Sequence, residues 1–143
     1  MYANSSKGFV IRGAAEGDWS GYAVSGGSDV NGDGLADVVV GAVRTDCGGS
    51  NVGAVYVVYG APRTSRADSV VDLQTMREQA GIKLSGHEQD GAAGTAVGGG
   101  GDVNGDGFGD VVVGAPDQAT PTVSIVFGRN FTADVFAADA DSF

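Results

Sequence analysis

The chain has 143 residues, 42% of them hydrophobic and 26 of them glycine, enough for about one compact domain and unlike a collagen or a disordered tail. Eighteen acidic residues against eight basic ones give a net charge of −10, a field that disfavours nucleic acid and anionic membranes and makes cations the natural counterpart. Cys47 is the single cysteine, so there is no intrachain disulfide; no apolar run approaches the ~20 residues of a membrane span, and Met1–Lys7 lacks the apolar stretch of a secretory signal.

In chain order, short β-branched runs bounded by Gly, Asn and Asp predict strands near residues 8–13, 21–27, 37–42, 52–60, 81–86, 94–99, 110–115 and 122–128. Helical periodicity is nearly absent, with one helical turn expected around Leu73–Gln79. The stretch 61–80, carrying Pro62, Arg63, Arg66, Asp68 and Asp72, reads as a solvated connection, and 129–143 reads as a tail.

The chain is also self-similar. Displaced by 73 positions, Gly8 falls on Gly81, Gly13 on Gly86, Gly21 on Gly94 and Ala23-Val24 on Ala96-Val97. The segment from Asp29 to Ala42 then recurs from Asp102 to Ala115 with two differences, and Tyr56–Gly60 matches Ser124–Gly128 after a gap of five. The unit is about half the chain: 8–86 is the first and 87–128 the second.

In 29–37 and 102–110, oxygen-bearing side chains stand at positions 1, 3, 5 and 9, with Gly at position 6 for a tight reversal. Calcium takes roughly six to eight hard oxygen ligands, and a chain curling round the ion offers alternate side chains plus a carbonyl. Asp29, Asn31, Asp33, the Leu35 carbonyl and Asp37 are assigned to one Ca²⁺; Asp102, Asn104, Asp106, the Phe108 carbonyl and Asp110 to another. An EF-hand would place Glu at position 12 between helices, whereas Val40 and Val113 stand there inside apolar β runs. Asp, Asn and Gly also make ordinary turns. Three carboxylates converging twice at matching places would nonetheless repel without a cation, and the number and flexibility of the ligands favour Ca²⁺ over Mg²⁺.

These units resemble the FG-GAP repeats of the integrin α-subunit β-propeller and of many bacterial extracellular proteins. Gly114-Ala115-Pro116 carries the "GAP" element and Gly41-Ala42-Val43 all of it but the Pro, while Ser20-Gly21 and Ala93-Gly94 stand where Phe-Gly would be. The resemblance implies an all-β fold of two four-stranded propeller blades, with 21–27 and 94–99 innermost and both calcium loops on one face. In that frame 21–86 makes one blade, 94–128 three strands of a second, and 8–13 is an orphan outer strand. Propellers have typically ~4–8 blades, so two need either further chain or further copies. Self-association into a closed ring is expected, from three copies or from four, with 8–13 of one copy completing 94–128 of its neighbour.

On the opposite face the resemblance places loops with Glu16, Asp18, Trp19, Arg44, Asp46, His87, Glu88, Asp90 and Asp117; Trp19, Arg44 and His87 are the candidate ligand-binding residues. Trp19 either stacks on a glycan or anchors a protein ligand there, or packs between blades. His87 and Cys47 lack the partners of a catalytic or transition-metal site, and no acid/base pair remains once calcium has its carboxylates, so no enzymatic activity is expected. The expected function is a calcium-binding propeller module for extracellular or cell-surface adhesion or ligand recognition. The alternatives are a purely structural self-assembling scaffold and an accessory propeller of a secreted hydrolase.

Overall fold

A computed structural model describes residues 8–46, 50–62, 70–87, 89–116 and 121–129. Among these residues the chain is all-β, and its strands are β1 (Val10–Arg12), β2 (Ser20–Gly26), β3 (Val38–Ala42), β4 (Ala54–Val58), β5 (Val70–Asp72), β6 (Gly81–Ser85), β7 (Ala96–Gly101), β8 (Asp110–Ala115) and β9 (Thr122–Val126). Three sheets result: a four-stranded antiparallel blade in the order β2-β3-β4-β6, a three-stranded antiparallel blade β7-β8-β9, and a parallel pair β1-β5.

The apolar runs of β3 and β4 are not one-sided because these strands are covered on both flanks of the first blade. In the first blade, Val39, Val55, Val57 and Ile82 turn toward the second blade and meet Val111, Val113, Val97 and Val126 in one core. The alternate positions Val40, Ala42, Tyr56 and Val58 turn the other way, where Ile11, Val71, Leu73 and Met76 cover them. Period-two alternation thus serves two cores. Cross-strand pairing of Tyr56 with Lys83 sets the Lys83 ammonium 5.6 Å from the Tyr56 ring centroid.

Two glycines face each other across the blade contact. Gly94 has φ 90°, a left-handed angle suited to glycine, and a Cβ on Gly41 would overlap the Gly94 carbonyl oxygen. Backbone bonds close both ends of the contact. At one end the Gly109 N–H donates to the Asp29 carbonyl (2.7 Å) and the Arg129 N–H to the Val30 carbonyl (3.0 Å). At the other, Asp90, Ala92 and Ala93 donate to the carbonyls of Ser50, Asn51 and Val52.

Two sequence expectations are corrected. Residues 61–80 are not wholly a solvated connection: Val70–Asp72 forms β5, paired in parallel with β1, and Leu73 is buried in the second core. No helical turn spans Leu73–Gln79 either. Turns closed by Thr75 on Asp72 and Ala80 on Arg77 replace it, because Leu73 and Met76 are both drawn onto the blade flank. The exposed Arg12–Asp72 pair, at 3.4 Å, adds little across β1 and β5.

Candidate functional site

The two acidic loops lie at the same end of their blades, one between β2 and β3, the other between β7 and β8. In each, the position-1 carboxylate organises the turn. Asp29 Oδ1 accepts the N–H groups of Gly32 (2.8 Å) and Asp33 (3.0 Å), and Oδ2 that of Gly34 (2.8 Å). Asp102 does the same for Gly105, Asp106 and Gly107, at 2.7, 3.0 and 2.9 Å. Position 3 accepts from position 5, as Asn31 from the Asp33 N–H and Asn104 from the Asp106 N–H, both at 3.1 Å. Position 5 accepts in turn: Asp33 Oδ1 from Leu35 (2.8 Å) and Asp106 Oδ1 from Phe108 (2.9 Å). The Asn amides return to Asp33 Oδ2 (3.0 Å) and Asp106 Oδ2 (2.8 Å).

Position 9 anchors the loop to the blade. Asp37 is buried and takes the Val30 N–H on Oδ2 and the Gly60 N–H on Oδ1, both at 2.8 Å. Asp110, also buried, takes Val103 (2.6 Å) and Gly128 (2.9 Å). The Asp therefore staples the loop entrance to the residue just beyond the third strand. This is why the Tyr56–Gly60 match reappears at Ser124–Gly128. Phe108 serves the neighbouring loop as well, since its ring sits where a Cβ on Gly32 would be.

Among the described residues, no three Asp, Glu, His or Cys side chains are drawn together as a ready metal-ligand group. The donor set nevertheless suits a hard cation. Each loop supplies three carboxylates and an Asn oxygen, and a carboxylate oxygen that accepts one N–H keeps a further lone pair. Electrostatics agrees in the first loop. Burial pushes the Asp37 carboxyl above the usual carboxylate range, the Gly60 and Val30 N–H groups oppose that, and the charges of Asp33 and Asp29 add to it. Burial, then Asp37 and Asp33, likewise push up the nearby Tyr59 phenol. A bound cation would turn that mutual repulsion into attraction.

The other end carries the aromatic group. Trp19 is half exposed, with Arg44 seated 3.7 Å from its ring centroid and Tyr22 stacked at 6.1 Å and 12°. Trp19 has φ 56° and closes a turn by accepting the Tyr22 N–H (3.1 Å), while the Arg44 N–H reaches the Asp18 carbonyl (3.1 Å). Asn51, Asp90 and Ala92, at φ 50°, 59° and 49°, lie at this same end. Such angles cost energy in non-glycine residues and concentrate where loops are shaped for a purpose. Asn51 ties the end together, its N–H to Asp46 (2.8 Å) and its amide to Asp90 (3.1 Å). His87 is exposed at this end too. Glu88, Asp117 and Cys47 lie outside the described residues. Sequence reasoning named Trp19 and Arg44 but missed Tyr22; an aromatic three residues on, across Ser20-Gly21, was the available signal.

A family profile for the FG-GAP repeat matches residues 20–58 and 93–126, segments that hold β2–β4 with one loop and β7–β9 with the other. The chain belongs to the FG-GAP repeat family. It is 36% identical over 130 residues to Integrin alpha-PS2 of Drosophila melanogaster, covering 87% of this chain and 8% of that protein. It is 39% identical over 95 residues to Integrin alpha pat-2 of Caenorhabditis briggsae (66% and 7%), and 31% identical over 122 residues to Integrin alpha-E of Mus musculus (80% and 10%). The chain thus spans about a tenth or less of these relatives' length. The sheets are accordingly FG-GAP propeller blades, one with four strands and one with three. Among the described residues no helix is long and apolar enough to cross a membrane.

Proposed function

We propose that this chain is part of a calcium-stabilised FG-GAP propeller module that serves extracellular or cell-surface adhesion or ligand recognition, without catalysis. The observation that carries the reading is the division of the two ends. One end commits its carboxylates twice over to the same hydrogen-bonded loop; the other presents Trp19 on a left-handed turn, with Tyr22 and Arg44 against its ring. Similarity to integrin α chains supports the adhesive role. Calcium loops of modest affinity fill where calcium is plentiful, which favours the outside of cells.

In this reading Asp29, Asn31, Asp33, the Leu35 carbonyl and Asp37 hold one Ca²⁺, and Asp102, Asn104, Asp106, the Phe108 carbonyl and Asp110 the other. The ions supply charge neutralisation and loop rigidity. Binding confined to the folded state stabilises by mass action, about 2.7 kcal/mol per site at a hundred times the dissociation constant. Chelation by EDTA should therefore lower the Tm by several degrees and calcium should restore it; an unmoved melting curve would end the reading. Calorimetric titration should find two ions per chain, and one in Asp33→Ala or Asp106→Ala.

The aromatic end has its own test. A cation over an exposed ring contributes about 0.5–1 kcal/mol, so Trp19→Ala should leave the melting temperature nearly unchanged. It should abolish binding to whatever glycan or matrix protein is captured in a binding array. Unchanged capture by a folded Trp19→Ala protein would move the ligand site elsewhere.

A further inference from the structure

The two blades offer an internal comparison of the same surface covered and bare. Val55, Val57 and Tyr59 of the first blade are 0%, 0% and 5% exposed because the second blade lies on them. Their repeat equivalents, Val123, Ile125 and Phe127, are 72%, 47% and 51% exposed. The opposite flank shows the reverse comparison. Val97 of the second blade packs against the first, whereas its equivalent Val24 is 65% exposed. Gly94 is pressed against Gly41, whereas Gly21, with the same φ of 90°, has open space where a Cβ would stand. Gly21 and Val24 line a cavity of about 360 Å³ together with Phe9, Ile11, Val38 and Val40.

Strand edges match in the same way. Among the described residues the second blade ends at β9, with no counterpart of the outer strand that β6 gives the first. β1 is the repeat equivalent of β6, and Gly8 and Gly81 open the two segments with φ 155° and 159°. Within the described residues β1 pairs with β5 along one edge only.

We infer that these surfaces join two copies of this chain head to tail. Val123, Ile125 and Phe127 of one copy enter the cavity beside Val24, Val38 and Val40 of the next, and β1 of that copy completes the β7-β8-β9 blade. The β4–β6 pairing sets the register: Arg12 opposite Thr122, Ile11 opposite Val123, Val10 opposite Ser124 and Phe9 opposite Ile125. The occupant is a second copy because the covering surface is already in the chain, and the contact repeats the one between its own two blades. Burying such a face and edge also removes the two features that otherwise promote indiscriminate association. The inference stands apart from calcium binding and from the ligand reading.

Two complementary variants test it by sedimentation velocity. Ile125→Arg blocks one flank and Val24→Arg the other, both at exposed positions that leave the internal core intact. The wild-type chain should sediment as an assembly several times its 14.2 kDa, and each variant alone as a folded monomer. Mixed together, the variants should form a dimer and nothing larger, since each retains the surface the other lacks. Cysteines at 11 in one variant and 123 in the other, with Cys47→Ser, should cross-link that dimer. A wild-type chain that stays a folded monomer would overturn the inference and leave both flanks to blades of different sequence. So would an assembly that survives both substitutions, or variants that fail to pair.

Discussion

Gly41→Val is expected to cost about 3 kcal/mol or more, at the upper end of what overpacking a core exacts. The Cβ would overlap the Gly94 carbonyl oxygen. What blocks it is backbone, so no rotamer change relieves the clash, and Gly94 itself is held by its N–H bond to the Gly114 carbonyl (3.1 Å). The blades must separate to admit a side chain. Gly98→Ala is the matched control: the nearest atom to a Cβ there is Val112 Cβ at 3.9 Å, an ordinary contact, and a strand gains from losing a glycine. Urea unfolding of the two variants should show a large fall in midpoint for the first and little or none for the second. Comparable midpoints would mean that the glycine contact does not set the spacing of the blades.

The second large effect separates the two jobs of the acidic loops. Asp37→Ala removes a buried carboxylate and leaves the Val30 and Gly60 N–H groups without their acceptor. Each bond to a charged group contributes roughly 1.5–3 kcal/mol, so a loss of about 3 kcal/mol is expected even in EDTA. Asp33 is exposed and its bonds stay within the loop. Asp33→Ala should cost well under about 1 kcal/mol in EDTA and considerably more in saturating calcium, where the wild-type chain gains from its ion. Denaturant curves with and without calcium check both. Equal penalties for the two variants in EDTA would contradict the division between a structural position 9 and a loop position 5.

The repeat made most of this legible, because spacing survives whatever the packing does. The 73-residue displacement located both loops, and the strand runs anticipated the order β2-β3-β4-β6 and the three strands after it. What escaped was tertiary. Val70-Val71 is too short a run to announce a strand, and only pairing with β1 makes it one. Leu73 and Met76 have helical spacing, yet Leu73 covers the flank from a turn and Met76 from the extended residues after it. The role of Asp37 as a staple to Gly60 could not be read from loop spacing, since it depends on where β4 ends. Tyr22 looked like one more alternating strand residue until the left-handed turn at Trp19 stacked the two rings.

The hydrogen bonds at the two ends of the blade contact have a mechanical meaning. At the acidic end Gly109 and Arg129 hold the first loop, and Ser25 Oγ accepts the Gly99 N–H (3.1 Å). At the aromatic end the N–H groups of Asp90, Ala92 and Ala93 bond to the carbonyls of Ser50, Asn51 and Val52. Between these rows, among the described residues, lies the apolar cluster of Val39, Val55, Val57, Val111 and Val113, a contact that resists separation but has no directional preference. The arrangement is that of a panel bolted along two opposite rims over a greased middle. A pull or twist delivered at either rim loads several backbone bonds in parallel, and swivelling one blade on the other requires both rows to break. Tension arriving at the aromatic loops is therefore carried through to the acidic end by the blade pair as one stiff body.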